Sequence, residues 1–149
     1  MKTDWAQEAA ILFQMYGVNK TINTSFDACI SISQSRFEIL SLIYQEFEIS
    51  QGDLQRKVTI DKSAVTRHIK QLEENEIILR RRKEDDNRII LVRLTEQGRH
   101  LIENAQREKE SFARALLADI GEEELVAFRA VLSKLNKNVK EIKASECRQ

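Results

Sequence analysis

Proline is absent from the 149 residues and glycine occurs only four times, which excludes a loop-rich fold and favours long helices. Two cysteines, Cys29 and Cys147, cannot build a disulfide scaffold and have no metal-ligand spacing. The two histidines, His68 and His100, stand apart with no second ligand at a metal-binding interval, so neither zinc nor any other metal is expected. No apolar run reaches the roughly 18 residues that a membrane span needs. The opening MKTDWAQEAA lacks a basic stretch leading into an apolar one, so a secretory signal is not expected. A cytoplasmic protein is the simple reading. No cofactor motif is found, and no histidine or carboxylate is placed by the sequence beside Cys29, so an enzyme is not expected.

What is present fits one ordinary folded domain: 42% hydrophobic residues for a core and 32% charged residues to solvate it. Net charge is zero, with 24 basic and 24 acidic side chains, but the distribution is uneven. Residues 1–49 hold 3 basic and 6 acidic side chains, residues 50–93 hold 11 and 8, and residues 94–149 hold 10 and 10. The middle of the chain is mildly basic, and its basic residues cluster.

Helical spacing of Ala9, Leu12, Phe13, Tyr16, Ile22 and Phe26 predicts a helix over about residues 4–28, interrupted by Gly17 and the polar run Asn19–Ser25. A second helix over about 34–46 places Phe37, Leu40, Ile43, Tyr44 and Phe47 on one stripe. Ser50-Gln51-Gly52-Asp53 reads as a capping box opening a short helix that buries Leu54 and Val58. Asp61 then caps a helix from Lys62 to about Asn75. Within it Val65, Ile69 and Leu72 must face the core, which leaves Ser63, Thr66, Arg67 and Lys70 on the wet face. Two short helices joined by a tight turn, the second polar and basic outside, match a helix-turn-helix.

The period then changes. Residues 77–82 and 89–94 are β-branched-rich runs separated by the polar stretch 83–88, which predicts a two-stranded hairpin with a polar tip. Thr95 caps a helix to about Leu117 with Leu101, Ala105, Phe112 and Leu116 as its apolar side. Asp119-Ile120-Gly121 turns the chain. Glu122-Glu123-Glu124 then open a last helix, where the helix dipole favours acids. That helix repeats Leu125, Phe128, Leu132, Leu135, Val139 and Ile142 at spacings of three and four. The fold class is mainly α with a small β-hairpin wing (α+β), a winged helix-turn-helix with additional N- and C-terminal helices.

Such an arrangement suits duplex DNA, because a helix fits the major groove and side chains near its N-terminus reach base edges. Arg67 can fork onto a guanine, and Thr66 and Ser63 can touch bases or phosphate. Lys62 lies at the start of the same helix, and Lys70 sits nearer the backbone. Alternation along Arg80-Arg81-Arg82-Lys83 lets only some of these side chains face DNA, and Arg81 is the candidate. Asp86 can hold Arg88 in one pose on the hairpin tip, which suits the minor groove.

Residues 34–98 resemble the multiple-antibiotic-resistance-regulator (MarR) family of winged-helix transcription factors. The resemblance rests on Ser50-Gln51-Gly52-Asp53-Leu54, on residues 61–69, on Asp86-Asn87-Arg88, and on residues 92–98 with their closing Leu-Thr-x-x-Gly. It implies a homodimeric regulator, usually a repressor, that binds an inverted-repeat operator in double-stranded DNA. It further implies that residues 1–33 and 99–149 form dimerisation helices around a DNA-binding region at 34–98, all within one domain spanning 1–149. A crevice between the two regions often takes small phenolic or other anionic effectors in this family. Two positions depart from the pattern. Glu76 stands where glycine usually ends the recognition helix, at a strain of about 1 kcal/mol if left-handed, unless Asn75 adopts that conformation or the helix ends differently. Glu84 stands where proline is common in the wing, and it adds an acid beside Asp85 and Asp86.

Plainer readings stay open. The face of Ser63, Thr66, Arg67 and Lys70 can be an ordinary solvated helix surface. The arginine run can be a charged edge strand that blocks aggregation, and Asp86–Arg88 a surface ion pair of little energy. The winged helix can serve protein–protein contact without DNA. Cys29 can be a redox sensor of an oxidant-responsive repressor, or a small buried hydrophobe beside Ala28 and Ile30. Cys147 is expected to fray in a polar tail. Trp5, Phe13, Phe112 and Phe128 are expected to pack a dimer core rather than an effector site.

Overall fold

A short, two-helix insertion into a three-stranded sheet organises the core. In the computed structural model, residues 5–142 are described; Cys147 and the side chain of Trp5 lie outside them. The order is α1 (Trp5–Cys29), α2 (Gln34–Glu46), β1 (Glu48–Ser50), α3 (Gln51–Lys57), α4 (Lys62–Glu74), β2 (Ile78–Lys83), β3 (Asp86–Leu94), α5 (Glu96–Leu116) and α6 (Glu122–Glu141). The chain forms two compact units, one ending at Phe112 and the other beginning at Ala113.

Helix α1 is continuous, contrary to the expected break. The hydroxyls of Thr21 and Thr24 donate to the carbonyls of Gly17 and Lys20 at 3.0 and 3.1 Å, so the polar run satisfies itself inside the helix. Helix α2 is capped by the Ser33 hydroxyl, which accepts from the Arg36 amide at 3.3 Å. Its stripe buries Phe37, Ile39, Leu40 and Ile43, but Phe47 leaves it. The helix ends at Glu46, Phe47 takes φ 63°, and its ring is 66% exposed as the chain swings into β1.

The antiparallel sheet has the order β1-β3-β2. Ile49 and Arg80 both pair with Val92, so Ile49, Val92 and Ile78 share the buried face. Strand β1 escaped the sequence because three residues carry no measurable period. The hairpin is tighter than expected: only Glu84 and Asp85 form the turn, and the polar residues on either side belong to strands. A solvated wing strand needs no apolar alternation to pair.

The core of the first unit comprises Leu54 from α3, Val65, Ile69 and Leu72 from α4, the sheet residues, and Ile102 and Ala105 from α5. The Leu-Thr-x-x-Gly signature has a plain mechanical reason. The Thr95 hydroxyl donates to the Glu76 carbonyl at 2.7 Å and accepts from the Gly98 amide at 3.0 Å, joining the end of α4 to the start of α5. A Cβ on Gly98 would lie 2.1 Å from the Ile77 carbonyl oxygen, so only glycine lets the two chains approach. Phe112 packs edge-on to Phe26 within this unit, centroids 5.9 Å apart. In the second unit Gly121 donates to the Glu124 carboxylate at 2.8 Å, and α6 buries none of its described residues.

Candidate nucleic-acid interface

Helix α3 opens as expected in one respect: the Ser50 hydroxyl accepts from the Asp53 amide at 3.1 Å. The Asp53 carboxylate meets the Ser50 side chain and also Arg56 one turn on, and both hold it below the usual carboxylate range. Asp61 occupies the N-cap of α4 and accepts from the Ser63 hydroxyl, and that bond, with the backbone amides of Ser63, Ala64 and Lys62 beside it, holds its carboxyl below the usual carboxylate range.

From this start α4 turns Val65, Ile69 and Leu72 inward, and Lys62, Ser63, Thr66, Arg67 and Lys70 are all exposed. Thr66 is engaged: it accepts from the Gln55 amide at 3.0 Å and donates to the Lys62 carbonyl at 3.1 Å, tying the two helices of the motif together. The side-chain cations of Lys62, Arg67 and Lys70 make no ion pair or hydrogen bond to any described residue. Three solvated cations on one face of a helix form a local positive field ready for an anionic partner. Beside Arg67, His68 is half-buried and its Nδ1 has no partner. Burial, then the neighbouring Arg36 and Arg67, push this imidazole below its ordinary value, so it stays neutral and adds no charge.

Helix α4 ends with the strained geometry the sequence allowed. Glu76 adopts φ 58°, its amide donates to the Glu73 carbonyl at 3.0 Å, and the Ile77 amide donates to the Leu72 carbonyl at 2.9 Å. These two bonds are a Schellman ending, with Ile77 and Leu72 both buried as its apolar clasp. The left-handed residue is Glu76 and not Asn75, which has φ −89°. The motif holds the glutamate there at a cost of about 1 kcal/mol.

The wing divides its basic residues. Asp86 accepts from the Arg88 amide at 3.0 Å and lies 3.5 Å from its guanidinium, which is 94% exposed and so projects into solvent as expected. Arg81 behaves otherwise. Its guanidinium forms a two-pronged pair with Glu48 of β1 at 2.6 and 3.0 Å, so it is occupied within the sheet, unlike Arg88. Arg80 makes the same pair with Glu73 of α4, both bonds 2.8 Å, and holds that carboxyl low. Arg82 donates to the Asn87 carbonyl at 3.0 Å and braces the turn. The glutamates that hold Arg80 and Arg81 lie 7 and 33 residues away and gave no signal in the sequence. Cys29 is exposed, which corrects the reading of it as a small buried hydrophobe. No group of three metal-binding side chains occurs among the described residues, and no described helix is long and apolar enough to cross a membrane.

A crevice of about 460 Å³ opens beside α2, lined by Phe26, Phe37, Leu42 and Val58 together with Glu38, Ser41, Lys57 and Lys109. The Ser41 hydroxyl is buried without a partner, and the Lys109 ammonium sits 4.6 Å from the centroid of the Phe37 ring.

Across 139 residues the chain is 52% identical to the uncharacterized HTH-type transcriptional regulator YdgJ of Bacillus subtilis, covering 93% of this chain and 85% of that one. The MarR family profile matches residues 32–90, from α2 into β3. The chain belongs to the MarR family of transcriptional regulators. Its fold matches a mutant MarR of E. coli complexed with operator DNA, at TM-score 0.73 and 20% identity over 91% of this chain and 98% of that one. It also matches Bordetella bronchiseptica BpsR, whose DNA binding is regulated by 6-hydroxynicotinic acid, at TM-score 0.70 and 23% identity over 87% and 98% of the two chains. These relatives are regulators and not enzymes. Of the eight residues singled out in the sequence, seven are on α4 or the wing tip, and Arg81 is held by Glu48.

Proposed function

We propose that this MarR-family regulator is a homodimeric repressor, acting in the cytoplasm, that reads an inverted-repeat operator in double-stranded DNA and is released by a small phenolic or other anionic effector. The observation that carries the reading is the unpartnered cation set Lys62, Arg67 and Lys70 on the exposed face of α4. In a major groove, Arg67 and Ser63 would meet base edges, Lys62 and Lys70 phosphates, and Arg88 the neighbouring minor groove beside its Asp86 brace. The MarR–operator complex supports this by fold.

The dimer reading is supported by apolar residues that the chain leaves in water. Phe13 is 80% exposed on α1, and Phe128 is 53% exposed on α6 among neighbours Val126, Val131 and Leu132. Exposed apolar area of this extent marks an association surface. A second copy of the chain would cover it, with residues 1–33 and 99–149 dimerising around the DNA-binding region at 34–98. Twofold symmetry then places two copies of α4 on half-sites about 34 Å apart, one helical turn. The crevice beside α2 fits an aromatic anion: two phenyl rings, two lysines and an unpartnered hydroxyl line it.

Selection of bound sequences from random duplexes, followed by a salt titration on the winner, tests this. An inverted repeat whose affinity falls steeply with salt is the expected result. Failure to retard duplex DNA at low salt would leave the protein–protein reading in its place.

A further inference from the structure

The crevice and the helix offered to DNA meet at one carboxylate. Glu38 of α2 forms part of the crevice wall, and it is the one acidic side chain in that lining. The same carboxylate grips Thr59 twice. Its Oε1 accepts from the Thr59 amide at 2.6 Å, and its Oε2 accepts from the Thr59 hydroxyl at 2.9 Å. Thr59 lies in the turn between α3 and α4, two residues before the Asp61 N-cap, and the preceding Lys57 and Val58 also line the crevice.

We propose that Glu38 is a positioning residue for DNA recognition: it clamps the α3–α4 turn, and an aromatic carboxylate bound in the crevice loosens that clamp and so weakens DNA binding. This rests on the effector reading above. Lys109, whose ammonium lies over the Phe37 ring, attracts the ligand's negative charge, Lys57 being already paired with Glu46 at 3.1 Å, and Glu38 opposes it as a like charge in the same wall. A ligand that repels Glu38 swings the carboxylate away and weakens its hold on Thr59. Bonds from an amide and a hydroxyl to a carboxylate are of the strong, charge-assisted kind, so their loss has a measurable effect. Helix α4 would not unfold, because Val65, Ile69 and Leu72 remain anchored in the core. Its N-terminal end would lose its fixed position, and that end carries Lys62 and Ser63. The ligand thus acts by favouring the state in which Thr59 is released, a differential affinity between two conformations.

The test uses the full-length protein, the duplex recovered by selection, and 6-hydroxynicotinate with its neutral carboxamide as probes. Glu38→Ala should remove amide-exchange protection at Thr59 and lower ligand-free DNA affinity about tenfold. Its remaining response to 6-hydroxynicotinate should be less than about twofold, although calorimetry still records binding. Glu38→Gln keeps an acceptor for the Thr59 amide and should fall between the two. In the wild type, the carboxylate should weaken DNA binding and the carboxamide should not. Unchanged protection and DNA affinity in Glu38→Ala, or a full wild-type response to the ligand, would overturn the proposal. If Glu38→Ala fails to fold, Glu38→Gln and Thr59→Val, which removes only the hydroxyl bond, carry the same comparison. Failure of the probe to bind the wild type would count against the crevice as an aryl-carboxylate site. The ligand-free comparison would then decide the clamp alone, with unchanged protection and affinity overturning it.

Discussion

Helices α4 and α6 carry the same kind of apolar stripe, and the chain treats them in opposite ways. Val65, Ile69 and Leu72 of α4 are buried within the first unit, whereas Phe128, Leu132 and Val139 of α6 and the Ile142 that follows it stay exposed. A period of three and four therefore establishes that a helix has an apolar side, without saying whether its own chain covers it. The basic residues show the same contrast. Lys62, Arg67 and Lys70 on α4 are unpartnered, while Arg80 and Arg81 on β2 are each gripped by a glutamate from another element. Counting cations would rank β2 the stronger DNA surface. Pairing reverses that order, because a guanidinium already satisfied by a carboxylate must break that pair to reach phosphate.

The largest effect should separate the two apolar stripes. Ile69→Ala opens a cavity in a fully buried site and should cost about 2–5 kcal/mol in chemical denaturation. Leu132→Lys should leave the fold of the first unit intact by circular dichroism and appear as dissociation to monomers in sedimentation. A dimer that survives this change would break the second-copy reading.

Next comes the contrast between the two sets of cations. Arg67→Ala should weaken operator binding by about 1–3 kcal/mol and relax specificity at one base position in anisotropy titrations. Arg81→Ala should alter DNA affinity by less than about threefold, since its charge is spent on Glu48 in a largely exposed pair. Equal losses in the two variants would erase the distinction.

A smaller effect is expected where α4 ends. Glu76→Gly should raise stability by up to about 1 kcal/mol, because glycine adopts the φ of 58° without a Cβ penalty. Thermal unfolding at fixed pH reads this directly, and a loss of stability would mean that the glutamate side chain contributes more than its backbone costs.

The smallest effect concerns His68. Its pKa is lower folded than unfolded, so as pH falls through about 6.5 the unfolded chain takes up the proton first and stability declines. The decline continues until pH reaches the folded value, below which both states are protonated. Denaturation at pH 7.5 and 5.5 should show a shallower decline in His68→Gln than in the wild type.

Most of α2 to α5 and the α4 face were legible because burial stripes and caps are local. Thr95 illustrates this: its Leu-Thr-x-x-Gly spacing marked the helix start, and the structure places its hydroxyl on the Gly98 amide. The grip of Glu38 on Thr59 was not legible, since 21 residues separate the partners and neither residue type stands out. The same holds for the Glu48–Arg81 pair and for β1, whose three residues acquire meaning only through pairing with β3. Polar bonds between distant residues follow from where the packed elements bring their ends, and no periodicity records that.

Residue order alone thus set which side of each helix is oily, where the helices begin, and that one basic helix face stands opposite a buried one. Folding in three dimensions decided which charges remain available, which glutamate takes the left-handed turn, and which carboxylate of the crevice wall holds the α3–α4 turn. The physical reason is range. Solvent sorts side chains along a single helix, whereas an ion pair or a clamp exists only after several helices and strands have packed.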